Sequence, residues 1–403
     1  MELFWLEHKK LWRKKIVKIC VLLCFVYCVI FGSILSFQWF CFGSSDDYTS
    51  AFGNNFDGYT VIKDSQEYAL SFGGELTDET LQQIVSDYQQ MEVDGMEKEL
   101  EKTDWQIVNS WLGTLYPELR DTNNYKTMIS YVDPDKLTGF YERRRQVLDE
   151  FLEVSGQVGA EKEYLHQIER KVEKPFHYEW VEGWSTLLGS MVADLGVVMA
   201  LFLGIVLSSL FAGEWHDNTS TLVLTTRNGW GKIALAKILT GLAFTVELFA
   251  LLAVSNVISQ LFFMGTAGWD MPIQNIKLIA VAPMNMLQAE IYEYAFVLLG
   301  AIGFAGIVMF ISAAVKNNVL TLLLSLAVVY GPMMIAEYLP YEMQKALDLI
   351  PLVGSSTDIF RTNTFRIFGK LIWSPYLLIT IPVLIGILCM PFAIKSWSRR
   401  MKA

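Results

Sequence analysis

The sequence predicts an all-α polytopic membrane protein, with six transmembrane helices and a mainly helical extracellular domain, and three observations carry that prediction. First, 53% of the 403 residues are hydrophobic and only 18% are charged, too apolar a balance for one soluble domain of this length. Second, the charges are absent from several runs long enough to cross a bilayer, which takes about 20 mainly apolar residues in a helix. Third, the charge is segregated: residues 46–182 hold 29 acidic and 13 basic side chains, while the rest of the chain is net basic. The overall net charge of −10, without any basic stripe, argues against nucleic acid as a partner.

The elements follow in order from those charge-free runs. Residues 1–18 interleave Leu3, Phe4, Trp5, Leu6, Leu11, Trp12 and Ile16 with six basic residues, the pattern of an amphipathic helix lying in the cytoplasmic interface. The spans are placed at 19–45, 183–213, 233–264, 294–315, 317–336 and 371–394, and a basic tail occupies 395–403. Lysine and arginine on both terminal flanks put both ends in the cytoplasm, as an even number of spans requires. The first apolar run is too long for a signal-peptide core and reads as an uncleaved anchor. This orientation sends 46–182, 265–293 and 337–370 outside, the last expected to form short re-entrant or surface helices. It leaves 214–232 and the Lys316 turn inside, in a multi-pass protein of the cell membrane.

The outer segment shows helical periodicity from Leu76 to Leu119 and from Leu137 to Val172, with enough aromatic residues to build a core. Residues 46–74 read as loop or strand. The triplet Arg143, Arg144 and Arg145 reads as a solvated, salt-bridged face, and Trp180 and Trp184 as an interfacial aromatic belt docking the domain on the bilayer. No cysteine lies in this segment, so no disulfide framework is available there, which suits a Gram-positive bacterial surface. Cys20, Cys24 and Cys28 share one helical face and read as small packing residues rather than metal ligands.

Several chemistries lack their motifs. There is no phosphate loop; Gly229 to Ile233 lacks both the first glycine and the hydroxyl after the lysine. The four histidines never fall at metal-ligand spacing and no nucleophile elbow occurs. The expectation is a protein that is not an enzyme and carries no metal.

The informative loop runs from Gly213 to Lys237, GEWHDNTSTLVLTTRNGWGKIALAK. An acid leaves the membrane at Glu214, a Thr-rich segment from Asn218 to Thr226 offers an N-cap and an apolar side, and Arg227, Lys232 and Lys237 return to the bilayer. The expectation is a short surface helix held at both ends by stiff spans. Glu214, Asn218, Thr219, Leu222, Leu224, Thr225, Ile233 and Lys237 occupy a pattern that resembles the permeases of ABC-2 type exporters, the type V ABC fold. The resemblance extends over residues 1–45 and 183–403; Trp230 departs from it where a basic residue is common.

That resemblance implies a coupling helix in 214–232, made of Glu214, Asn218, Thr219, Leu222, Leu224, Thr225, Arg227 and Lys232, which docks on a separate ABC ATPase subunit. The turn at Val315 to Asn318 would make a secondary contact. The implied assembly has two permease chains and two ATPase chains, with Mg-ATP bound only by the ATPase subunits and no cofactor in this chain. The implied activity is ATP-driven export of a hydrophobic or amphipathic substrate such as a peptide, lipid or drug. The alternative is a non-transporting receptor whose outer domain binds a peptide. Within the spans, Glu247 near the middle of span three and Asp194 near the outer end of span two are candidates for a substrate path. Gly196, Ala200 and Gly204, with Gly300, Gly303 and Gly306, mark close helix packing or a dimer seam. Pro332 and Pro382 are expected to loosen spans five and six.

Overall fold

A computed structural model of the protein describes residues 2–30, 66, 73–94, 105–121, 124, 126–188, 192–225, 231–354 and 362–399. Most of them are helical. The order is α1 (Glu2–Arg13), α2 (Lys15–Val29), β1 (Gly74–Leu76), α3 (Asp78–Val93), α4 (Trp105–Leu115), α5 (Phe140–Val154), α6 (Ala160–Glu169), β2 (Phe176–Tyr178), α7 (Glu182–Thr186) and α8 (Val192–His216). There follow α9 (Ser220–Thr225), α10 (Gly231–Met264), α11 (Met286–Val315), α12 (Asn318–Ile335), α13 (Tyr341–Leu347), β3 (Thr364–Ile367), β4 (Lys370–Trp373) and α14 (Ser374–Arg399).

Five stretches have the length and apolar composition to cross a membrane: Leu195–His216, Gly231–Phe262, Met286–Val315, Asn318–Tyr338 and Ser374–Ser398. The chain is therefore a multi-pass helical membrane protein. Of the expected first span, α2 supplies the part up to Ile30, and the remainder, with Cys41, lies outside the described residues. The basic N-terminal segment divides into two helices because Lys14 adopts an extended conformation, φ −68° and ψ 130°. Helix α1 packs on α10, where Trp12 meets Phe244 edge to face at 5.8 Å, while Trp5 and Leu6 stay exposed. Cys20 and Cys24 are buried among the membrane helices and form no disulfide.

The bundle is built on α11, which runs along α14 and also touches α8, α10 and α12. Its glycines explain how close it comes. A Cβ on Gly303 would stand 2.3 Å from the Pro382 carbonyl oxygen, and one on Gly306 would stand 2.4 Å from that of Gly386. The expected glycine seam is thus a seam within one chain, where backbones meet without intervening side chains. Because the obstacle is backbone, Gly303→Leu is expected to separate α11 from α14 and cost about 3 kcal/mol or more; a thermal melt of the detergent-solubilised protein reads the loss. Ser312 of α11 adds a polar stitch, its hydroxyl accepting from the Phe211 and Ala212 amides and donating to the Ser208 carbonyl.

The segment between α2 and α8 folds on its own apolar core of Leu76, Leu81, Trp111, Leu112, Phe140, Phe176 and their neighbours. Its described residues are mainly helical, closed by antiparallel pairing of β1 with β2, Leu76 opposite Phe176. Asp78 accepts from the Gly139 and Phe140 amides at 2.6 and 2.9 Å, satisfying amides at the start of α5 that have no intrahelical partner.

Four expectations need correction here. Arg144 is not a solvated cation: it is 1% exposed, and its guanidinium donates to Glu169 and to the carbonyls of Leu278 and Ala280. The loop before α11 is therefore sewn to the domain between α2 and α8, a joint reinforced by Trp111 donating to the Asn275 carbonyl. Trp180 and Trp184 are buried, and they donate to the carbonyls of Met264 and Ala267 rather than facing lipid. The described part of residues 337–370 holds the end of a 3-10 turn (Ala336–Tyr338), the short helix α13 and most of a β3–β4 hairpin rather than helices alone. Finally, α11 begins at Met286, eight residues before the expected start, because Asn285 and Gln288 form a reciprocal capping box that lets the helix open among polar residues.

Candidate functional site

The loop expected to carry function is ordered around one carboxylate. Helix α8 continues past the last apolar residues to His216, so Glu214 stays on the helix, 4% exposed. One of its oxygens accepts from Lys10 Nζ at 2.5 Å and from Lys237 Nζ at 2.9 Å. The other accepts from the Thr219 hydroxyl. Lys237, 2% exposed, also donates to Glu7 at 2.8 Å. Two acids and two bases close a neutral network across α1, α8, the start of α9 and α10. Such a cluster is tolerated in a buried place because every charge is matched by an opposite one in hydrogen-bonding contact.

Residues 220–225 form the expected short helix. Its start differs from the sequence reading. Asn218 takes a left-handed conformation, φ 58°, which a short polar residue tolerates, and Thr219 rather than Asn218 precedes the first helical residue. The Thr219 side chain turns back to Glu214. Leu222 is 72% exposed, and Asn218, Thr225 and Lys232 are exposed beside it. The Leu224 side chain and Arg227 lie outside what is described. Leu222 is one of several large apolar side chains that stay exposed.

The other expected cytoplasmic turn joins the same region. Lys316, at φ 64° beyond the end of α11, lies over the Trp215 ring at 4.4 Å from its centroid. Trp215 in turn meets Trp397 of α14 edge to face. Cation-π and aromatic contacts thus tie the exit of α8 to the 315–318 turn and to the last helix.

The two acids proposed for a substrate path are not brought together. Glu247 is engaged by α1, accepting from Trp12 Nε1 at 3.0 Å and lying 3.1 Å from His8 Nε2. In this conformation it is a docking group for the N-terminal helix. Asp194 falls in the first turn of α8, and its side chain is not described.

Sequence reasoning missed Glu290 and Glu293. It left them in an outer loop, whereas the early start of α11 places them one turn apart on its buried face, 4% and 0% exposed. The Glu293 carboxylate has no hydrogen-bonding partner among the described residues. A buried acid without a donor is costly to hold. The signal available was Glu-x-x-Glu at helical spacing inside an otherwise apolar stretch. Replacing Glu293 by leucine is expected to raise the melting temperature in detergent, by an amount worth about 1 to 3 kcal/mol, since an apolar group of similar size removes the cost without losing a bond. No group of three or more metal-ligating acidic, histidine or cysteine side chains occurs among the described residues.

These features define a polytopic helical membrane protein in which the loop after α8 is clamped by a buried ion network and carries an exposed short helix. Comparison with family models, with curated proteins and with solved structures finds no match for the chain.

Proposed function

We propose that the protein is the membrane-spanning permease subunit of an ABC exporter, which couples ATP hydrolysis by a separate ATPase subunit to export of a hydrophobic or amphipathic substrate such as a peptide, lipid or drug. The observation that carries the reading is Glu214. Through Thr219 it holds the exposed helix α9, and through Lys10 and Lys237 it holds α1 and α10. A push on Leu222 from below is thereby delivered to three elements at once rather than absorbed by a slack loop.

In this reading Leu222, Asn218, Thr225, Arg227 and Lys232 face the ATPase, with Leu224 beside them, and the Lys316 turn makes a secondary contact. Two permease chains and two ATPase chains form the working unit, in a bacterial cell membrane with both termini cytoplasmic. ATP drives alternation only if the nucleotide-bound ATPase pair prefers one conformation of the spans. The docking of α1 on Glu247 and the burial of Glu290 and Glu293 mark helices whose surroundings would change in such an alternation.

Co-purification tests the reading. The tagged chain is expected to bring down a Walker-motif ATPase from its native membrane, and to lose it when Leu222 and Thr225 are both changed to aspartate. Retention of the same partner after that change, or after residues 218–226 are replaced by a polar linker, contradicts it. A receptor whose outer domain binds a peptide predicts that second result.

A further inference from the structure

On the buried face of α11, Met286 and Ala289 belong to an apolar core shared with α5, α6 and α7 through Leu148, Leu165 and Trp184. Further along the same face, Phe296 and Val297 belong to the core of the membrane bundle, with Leu203 and Leu252. Glu290 and Glu293 fall at the junction of the two cores. Glu290 has the Tyr294 hydroxyl beside it. Glu293 is 0% exposed, and neither of its carboxylate oxygens has a partner among the described residues. The charges that act on it there are those of Glu290, one turn back on α11, and of Lys277, exposed on the 265–285 loop.

The neighbouring helix is polar at the same level. Phe249 of α10 meets the Tyr294 ring at 6.1 Å, and Leu261 of α10 packs on the core that holds Met286 and Ala289. Asn256 and Gln260 lie between those two contacts, two and three turns beyond Phe249, which returns them to its side of the helix. They are 4% and 1% exposed, and the Gln260 amide nitrogen has no acceptor among the described residues. The 265–285 loop closes over the start of α11, where the Met286 and Leu287 amides donate to the Met271 and Trp269 carbonyls. That loop is fastened in turn by Arg144, by Trp111 and by Gln274, whose amide donates to the Ala280 and Ala282 carbonyls. A fully covered carboxylate with no donor does not stay ionised; it takes up a proton. Glu290 works in the same direction, because two carboxylates one turn apart resist being ionised together, and Lys277 opposes it from its exposed position.

We propose that Glu293 is a proton-binding site at the joint between the α2–α8 domain and the spans, which holds its proton while the 265–285 loop is closed and releases it to water when the loop lifts. The proton is the ligand rather than a metal ion, which needs more oxygen ligands than this pair supplies; no group of three or more acidic, histidine or cysteine side chains suited to a metal occurs among the described residues. An ionisable group buried in a spanning helix is a functional group before it is a structural one, since an apolar residue there packs at lower cost. By linkage, a movement of the domain that lifts the loop lowers the affinity of Glu293 for its proton, and rising pH favours the lifted position. The inference does not rest on the exporter reading, because a receptor with the same joint holds the proton equally.

Infrared spectroscopy of the full-length chain in lipid nanodiscs tests it, in a Glu290→Gln background so that Glu290 contributes nothing. At neutral pH the background protein is expected to show a protonated-carboxyl C=O band that disappears when Glu293→Gln is added. Adding Arg144→Ala instead, which frees the Leu278 and Ala280 carbonyls, is expected to abolish the band at neutral pH and to let it return in acid. Arg144→Ala with Gln274→Ala loosens the loop further and is expected to do the same. Melting curves identify any variant that is misfolded, and protease cleavage between residues 265 and 285 reports that the loop has opened. Absence of any band dependent on Glu293 at neutral pH overturns the proposal, since the carboxyl would then be ionised in the closed state. A band that persists unchanged at neutral pH in both folded loop variants overturns it as well, leaving Glu293 a sealed acid that exchanges no proton.

Discussion

Glu214→Ala is expected to cost about 3 to 5 kcal/mol of stability, because it strands Lys237 and Lys10 beside a buried place with only Glu7 left to answer them. The same change frees Thr219, so α9 is no longer tied to α8. The two consequences separate experimentally. In the double variant Glu214→Leu with Lys237→Leu, both buried charges are gone, and stability is expected to return close to that of the unaltered protein. The tie between α9 and the spans does not return with it. If the exporter reading is right, this stable double variant still binds its ATPase partner but no longer transmits the push, so substrate-stimulated ATP hydrolysis falls while basal hydrolysis by the partner persists. Thermal melts and ATPase assays of the reconstituted complex measure the two effects independently. A double variant that melts normally and couples normally would show the network to be structural only.

Arg144→Ala is the second large effect, and it concerns the domain between α2 and α8. Arg144 donates to two carbonyls of the 265–285 loop and to Glu169, and its guanidinium lies over the Phe176 ring at 5.2 Å. Its removal leaves the Leu278 carbonyl without that donor and opens a void beside Phe176, a loss of about 3 kcal/mol. Limited proteolysis is expected to cut between residues 265 and 285 in the variant and to spare the unaltered protein. The same joint makes this domain sensitive to acid. Burial alone would raise the Glu169 carboxyl, but the ion pairs with Lys174 and Arg144 outweigh it and hold it below the usual carboxylate range. A carboxylate held low in the folded state contributes stability above its unfolded value, and that stability is lost as pH falls through the folded value. The domain is therefore expected to loosen below about pH 4.5, read as rising protease sensitivity, and Glu169→Gln is expected to flatten the dependence while lowering stability at neutral pH.

Much of the fold was legible because the membrane imposes a simple rule on sequence. A run without charges long enough to cross has few structures open to it, and so α8, α10, α11, α12 and α14 overlap the spans placed at 183–213, 233–264, 294–315, 317–336 and 371–394. The errors lie where that rule was applied too strictly. Span four was started at the last charge, yet the Asn285 and Gln288 capping box begins the helix earlier and carries Glu290 and Glu293 inside. Arg144 was read from its neighbours as part of a solvated triplet. Helical geometry separates adjacent residues by about 100° around the axis, so Arg143 and Arg145 can be solvent-facing while Arg144 points into the core. The hairpin at 364–373 carries no Asn-Gly or Asp-Gly signal; its turn is Phe368 and Gly369, both at positive φ, and a phenylalanine in that conformation is not a residue that turn chemistry suggests.

At the site, the types of residue were legible and their partners were not. An acid leaving one span and a lysine returning in the next, Glu214 and Lys237, stand out in the loop sequence. That they meet each other, and that Glu7 and Lys10 from the first helix complete the network, depends on α1 packing across α10. No local pattern encodes a contact between residues more than 200 positions apart. The same holds for Glu247, whose position suggested a path through the membrane and whose actual neighbours are His8 and Trp12.

The side of the membrane on which α9 lies decides the account most directly. With the five native cysteines replaced by serine or alanine, a single cysteine at Leu222 can be exposed to a membrane-impermeant maleimide in intact cells and again after permeabilisation. The account predicts labelling only after permeabilisation, and protection of that cysteine when the ATPase partner is bound. Labelling in intact cells would put α9 outside, out of reach of any ATP-driven motor, and would contradict it.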